Sequence, residues 1–166
     1  MTEVPAIKTR EEIIELLQQG KSEELTQTID ALSCKEIVHL LGHLHKEEQK
    51  DLLTILPPEV AAEVMEDLPE AQAADIIEEL ETSEAAAILN EMESNEQADL
   101  ILELEEEEAQ AILAEMAPEE AEDVRKLIAY ESDTAGGLMR TEFLAYKKNQ
   151  TVGEVTEDLR THSEEY

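Results

Sequence analysis

LPPEVAAEVMED, LPEAQAADIIEE, LETSEAAAILNE, MESNEQADLILE and LEEEEAQAILAE follow one another without a gap over residues 56–115. They align as five units of one twelve-residue repeat, each opening on Leu or Met, with a small residue recurring at the sixth place and aliphatics at the ninth and tenth. The opening aliphatic extends the register in both directions, through Leu32, Leu44, Leu56, Leu68, Leu80, Met92, Leu104 and Met116. One continuous helix is excluded. At about 100° per residue, twelve residues advance by roughly 1200°, so the apolar stripe would shift by about 120° in every unit and smear around the cylinder. Within one unit, the sixth, ninth and tenth places and the next opening residue fall in an arc of about 100°, the width of one buried helix face. Each unit therefore reads as one short helix and a turn.

Local chemistry marks the breaks. Pro57, Pro69 and Pro118 stand at or near unit openings, where a first-turn proline removes only an N–H that would lack a helical partner anyway. Ser33 with Glu36, Ser94 with Gln97, and Thr9 with Glu12 have capping-box spacing, and Gly20 and Gly42 read as helix ends. Breaks are expected near Gly20, Gly42, Pro57, Pro69, Thr82, Ser94, Glu105 and Pro118. The fold class is all-α: an armadillo-like superhelix of about ten short helices over residues 9–131, each too short to be stable without its neighbours. Residues 1–8 form an N-terminal tail.

Composition agrees. Of 166 residues 42% are hydrophobic but only 2% aromatic, with five Gly and five Pro, a usage that favours helix over a β-sandwich. Asp and Glu number 43 against 12 Lys and Arg, a formal charge of −31, so the mean field repels phosphate backbones and anionic lipid and argues against a nucleic-acid partner. The acids are interleaved with spaced aliphatics and not gathered in a tail, which favours soluble helices. Cys34 is alone, so no intrachain disulfide or thiolate cage forms, as suits a reducing compartment. Its expected role is as a small packing residue. No signal peptide or run of about 20 apolar residues is present, giving the chain a cytosolic character.

After Met116 the tenth place is Arg125, and the helix is expected to run on through Leu127 and Ile128 to Tyr130. ESDTAGGLM, residues 131–139, holds the adjacent Gly136 and Gly137 and reads as a turn or close backbone approach. Beyond a junction at 132–140, residues 141–146 favour a strand, 147–150 a polar turn, and TVGEVTEDL at 151–159 a capped amphipathic helix. Residues 141–166 thus read as the incomplete beginning of a second, α/β domain.

The stretch YESDTAGGLMRTEFLAYKKNQTVGEVTEDLR, residues 130–160, resembles the junction of MgtE magnesium transporters, where the N-domain gives way to the first CBS domain through a Y-E-x-D-T-A-G-G-x-M signature. The preceding body is similar to the MgtE N-domain, including its L-P-x-x-x-A-A-E/D units at Leu56 and Leu68. The resemblance implies a right-handed superhelix joined in the same polypeptide to a CBS pair and a dimeric, Mg²⁺-selective pore of five transmembrane helices per chain. The present residues would form its cytosolic arm at the cytoplasmic face of the bacterial membrane, and would not themselves conduct.

The eighth place of the repeat is acidic at Asp51, Glu63, Asp75, Asp99 and Asp123, at the edge of the packed face, whereas Ala87 and Ala111 are not. Residue identity alone makes each an ordinary surface acid. The resemblance implies more: regulatory Mg²⁺ ions shared between N-domain and CBS carboxylates, with Glu63 and Asp99 at matching positions, favouring the closed state. A second family acid falls on Asn95 here, a departure that leaves its carbonyl oxygen and the adjacent Glu96 as substitutes. Mg²⁺ keeps several waters and needs only one or two carboxylates at a site. The denser run at 105–108 reads as a helix N-terminal turn favoured by the dipole, because consecutive helical residues point in different directions.

Other chemistry has little support. His39 and His43 share the i, i+4 spacing of a zinc-binding pair, but neither His45 nor any second motif completes a ligand set, and surface histidines are expected. The glycines of DTAGGLM lack phosphate-loop spacing, and no cluster of nucleophile, base and orienting acid is visible, so no enzyme is expected. CBS pairs bind adenine nucleotides in some proteins, but that cleft needs strands beyond this sequence. The alternative to an ion-sensing domain is an armadillo-like protein-interaction scaffold similar to the middle domains of flagellar motor-switch proteins.

Overall fold

The computed structural model describes residues 10–18, 22–29, 31–131, 133–141 and 143–161. Among them the chain forms α1 (Arg10–Gln18), α2 (Ser22–Ile29), α3 (Cys34–Leu41), α4 (Lys46–Ile55), α5 (Pro58–Glu66), α6 (Glu70–Ile77), α7 (Thr82–Leu89), α8 (Ser94–Glu103), α9 (Glu106–Glu115), α10 (Pro118–Leu127) and α11 (Val152–Thr161). From α3 to α10 the repeat sets the boundaries without slippage. The residue after each opening aliphatic is the N-cap: Ser33, His45, Pro57, Pro69, Glu81, Glu93, Glu105 and Ala117, with ψ between 134° and 159°. The helix begins on the next residue. Expected breaks from Gly42 to Pro118 therefore fall at helix ends, whereas Gly20 and the cap at Thr9 lie outside the described residues.

Ser33 caps α3 as its spacing predicts, its N–H and hydroxyl donating to the Glu36 carboxylate at 2.8 and 2.7 Å. Ser94 does not cap α8. It is the first helical residue, one place past the N-cap Glu93, and it is buried; Gln97 instead donates from Nε2 to the Met92 carbonyl at 2.7 Å. Pro58 and Pro118 occupy the first helical position, while Pro57 and Pro69 are caps.

The paired aliphatics Val64/Met65, Ile76/Ile77, Ile88/Leu89, Leu100/Ile101 and Ile112/Leu113 are all buried, as are the small Ala61, Ala73, Ala85 and Ala109 that allow close helix approach. Gln97 takes the alanine place in α8, buried with its Oε1 unpartnered. Between α3 and α10 helices pack on the one two further along, α3 on α5, α5 on α7, α7 on α9, and α4 on α6, α6 on α8, α8 on α10, while α4 also packs on α1. The result is a superhelix in two rows around one continuous core. Burying each large aliphatic contributes about 1.5–3 kcal/mol, which offsets the cost of ordering helices too short to form alone.

Beyond α10 the regularity ends. Tyr130 and Gly136 approach so closely that a Cβ on Gly136 would lie 2.4 Å from the tyrosine ring. The segment expected as a strand, 141–146, forms no strand among the described residues. Its sequence supplies strand propensity, but a ladder requires a paired neighbour, and none of the described residues provides one. It is tied to α11 through the Tyr146 hydroxyl, 3.1 Å from Asp158 Oδ2. Thr151 and Glu154 cap that helix, at 2.7 Å from the Thr151 N–H to the carboxylate. No helix of the described residues is long and apolar enough to cross a membrane.

Candidate functional site

The start of α8 gathers most of the polar residues singled out by the sequence. Asn95 and Glu96 lie in its first turn, and Asp99 follows Glu96 by three residues, which puts the two carboxylates on one helix face. Asn95 Nδ2 donates to Glu96 Oε1 at 3.2 Å, and its own Oδ1 is buried without a partner. Burial, then the charges of Asp99, Glu66, Glu93 and Glu70, push the Glu96 carboxyl above its usual range. Burial does the same to Asp99. Spacing within one unit does not reveal Glu66 and Glu70, which come from the end of α5 and the start of α6; Glu93, the cap of α8, lies in the same unit three residues before Glu96 but was not singled out. Glu66 Oε1 accepts the Glu93 N–H at 3.0 Å, closing the group across 27 residues of chain.

Glu63 stands elsewhere. It is exposed on α5, its backbone carbonyl lies 3.4 Å from the Cys34 thiol, and it is not among the carboxylates that act on Glu96. Cys34 is half-buried and packs against the core; burial and Asp67, 3.5 Å away, push its thiol up to about 11, well away from a reactive thiolate. The other acids at the eighth place divide. Asp75 pairs with Lys46 at 3.6 Å and Asp123 with Lys126 at 2.8 Å, as ordinary surface acids do. Glu105 caps α9 and Glu106, Glu107 and Glu108 fill its first turn, the arrangement expected from the dipole. His39 and His43 have ring centroids 4.8 Å apart and perpendicular planes, while His45 is the cap of α4.

Among the described residues no group of three or more His, Cys, Asp or Glu side chains converges to hold a metal ion. What α8 presents is a set of partly desolvated carboxylates and an unsatisfied amide oxygen, all hard oxygen donors. Such donors suit a hydrated divalent cation that takes its remaining ligands from water or from another surface.

The junction reaches the same place. The Arg140 guanidinium meets the Glu93 carboxylate with both nitrogens, Nη1 to Oε1 and Nη2 to Oε2, and the Thr141 N–H donates to Ser94 Oγ at 2.9 Å.

The model of one family, the MgtE intracellular N domain, matches residues 32–133. No protein of curated function matches the chain. Among solved structures, the soluble part of a magnesium transporter is similar at a TM-score of 0.78 and 27% identity, over 93% of this chain and 61% of that one. The cytosolic domain of the Mg²⁺ channel MgtE, solved in complex with ATP, is similar at 0.84 and 28% identity, over 95% and 64%. The chain thus spans less than two thirds of the length of either structure.

Proposed function

The chain belongs to the MgtE intracellular N domain family, and on that premise we propose that it is the cytosolic Mg²⁺-sensing regulatory domain of a magnesium channel. Its partners are then CBS domains and a pore in the same polypeptide, in a homodimer at the cytoplasmic face of the membrane. The observation that carries the reading is the Glu96 carboxylate, half-buried and set among Asp99, Glu66, Glu93 and Glu70. Like charges at short range disfavour bringing a further acidic surface against this one. A Mg²⁺ ion held through water by Asp99, Glu96 and the Asn95 carbonyl oxygen on this side, and by acids on the opposing domain, turns that repulsion into attraction. Glu63 belongs to a second, separate contact in this scheme. When Mg²⁺ is scarce the domain swings free; when it rises, bridging ions favour a compact state that closes the pore, and influx limits itself.

A ligand shifts an equilibrium only by its differential affinity for the two states, so removing bridging carboxylates weakens the Mg²⁺ dependence of closure and leaves conduction intact. The test is current through the channel at increasing cytosolic Mg²⁺ for Glu63→Ala, Asp99→Ala and both together, beside Glu106→Ala as a control. Closure of the double variant at the Mg²⁺ concentration that closes the parent refutes the bridging role.

A further inference from the structure

Residues 133–141 are bonded to themselves and to the helical body. The Thr134 hydroxyl donates to the preceding Glu131 carbonyl at 2.7 Å, and within the segment the Leu138 N–H donates to the Thr134 carbonyl at 3.1 Å. Near its middle Gly136 lies against the Tyr130 ring, so closely that a Cβ there would need the ring to shift. At its end, Arg140 forks onto Glu93, and Thr141 reaches the buried Ser94 hydroxyl across 47 residues of chain. Glu93 is itself held from behind, because its N–H donates to Glu66.

We propose that this segment is a strap latched onto the N-terminus of α8 by Arg140, a tethered cation that docks the junction on the helical body without any divalent ion. The strap moves with α8. The inference goes beyond ion sensing and does not depend on it: Arg140 supplies, from within the chain, positive charge at a cap otherwise crowded by carboxylates, and sets how much docking persists when divalent ions are absent. The two side chains are 51% and 42% exposed, so the latch is weak and salt-sensitive, as a reversible contact must be.

The experiment is amide hydrogen exchange on this chain in EDTA, read at Thr141 and, as a control for folding, at Leu100 and Ile101 inside α8. Arg140→Gln and Glu93→Gln are each expected to speed exchange at Thr141 about two- to fivefold, the range for a partly exposed ion pair, with Leu100 and Ile101 unchanged. Raising NaCl to about 0.5 M is expected to speed exchange at Thr141 in the parent but not further in Arg140→Gln, since added salt weakens only the charge pair. Unchanged exchange at Thr141 in both variants overturns the proposal. So does loss of protection in α8 together with Thr141, because the pair would then be part of the fold and not a latch.

Discussion

Glu96 and Asp99 show how burial places a cost on one helix turn. Their carboxyls are raised, so the folded chain binds protons more tightly than the unfolded chain across the window from the usual carboxylate pKa up to the folded value. Below that window both states are protonated and the penalty is absent; above it the penalty is complete. Their share of stability therefore falls as pH rises through the window. Glu36 and Glu154 are lowered by bonds to Ser33 and Thr151, and their contribution is lost only as pH falls below the usual range. Thermal unfolding in EDTA is expected to show the first trend in the parent, and Glu96→Gln with Asp99→Asn to flatten it. At neutral pH that pair of substitutions is expected to raise the melting temperature by roughly 0.5–2 °C, as removing a like-charge helical pair is worth about 0.2–0.5 kcal/mol. A drop in melting temperature at neutral pH would contradict the account. At the junction the expected sign is opposite. Gly136→Ala drives a methyl into the Tyr130 ring and is expected to cost about 1–3 kcal/mol of junction order unless the ring moves, so Tyr130→Ala in the same chain should recover most of it. Exchange at Leu138 and Thr141 reads the difference.

At the scale of the helix, equivalence between units is the property to test. Because α5, α6, α7 and α8 all start two residues after an opening aliphatic and bury their ninth and tenth places, one unit should be removable. Excising residues 69–80 is expected to leave a helical chain that unfolds cooperatively, less stable by the loss of one packed helix. Excising residues 69–74 shifts the following register by about 600°, turns the apolar pairs off the core, and is expected to abolish cooperative melting by circular dichroism. Equal behaviour of the two deletions would show that the register does not control packing. The same register explains how much of the fold is legible in the sequence. Helix positions are readable because the repeat fixes both face and break. At Ser94 residue type suggests a serine cap, while the register puts the cap on Glu93, as it puts one on Ser33. Strand propensity at 141–146 is visible, but pairing is a property of two segments and one sequence stretch does not carry it. Asn95, Glu96 and Asp99 can be found within one unit. Glu66, Glu70 and Arg140 cannot, because tertiary packing brings them from α5, α6 and the junction to one helix end.

For the molecule as a whole, charge dominates. With 43 acidic residues against 12 basic ones, compaction raises the free energy through self-repulsion, and the core of buried aliphatics must outweigh it. Several cations are engaged locally: Lys46 with Asp75 and Glu79, Lys126 with Glu122 and Asp123, Arg140 with Glu93. Any salt should therefore stabilise the chain by screening, with a Debye length of about 8–10 Å near physiological ionic strength. Ion sensing demands more than screening. At matched ionic strength, MgCl₂ is expected to raise the melting temperature beyond NaCl, by a few degrees once Mg²⁺ reaches about ten times its dissociation constant, where binding adds roughly 1.4 kcal/mol. Glu96→Gln with Asp99→Asn should abolish this excess while keeping the NaCl response, because the remaining field of the molecule is almost unchanged. The two responses separate the explanations. If MgCl₂ and NaCl act alike on the parent, α8 has no specific site in this chain; if the excess survives in the double variant, the ion binds at other acids, and Glu63 is the next position to substitute.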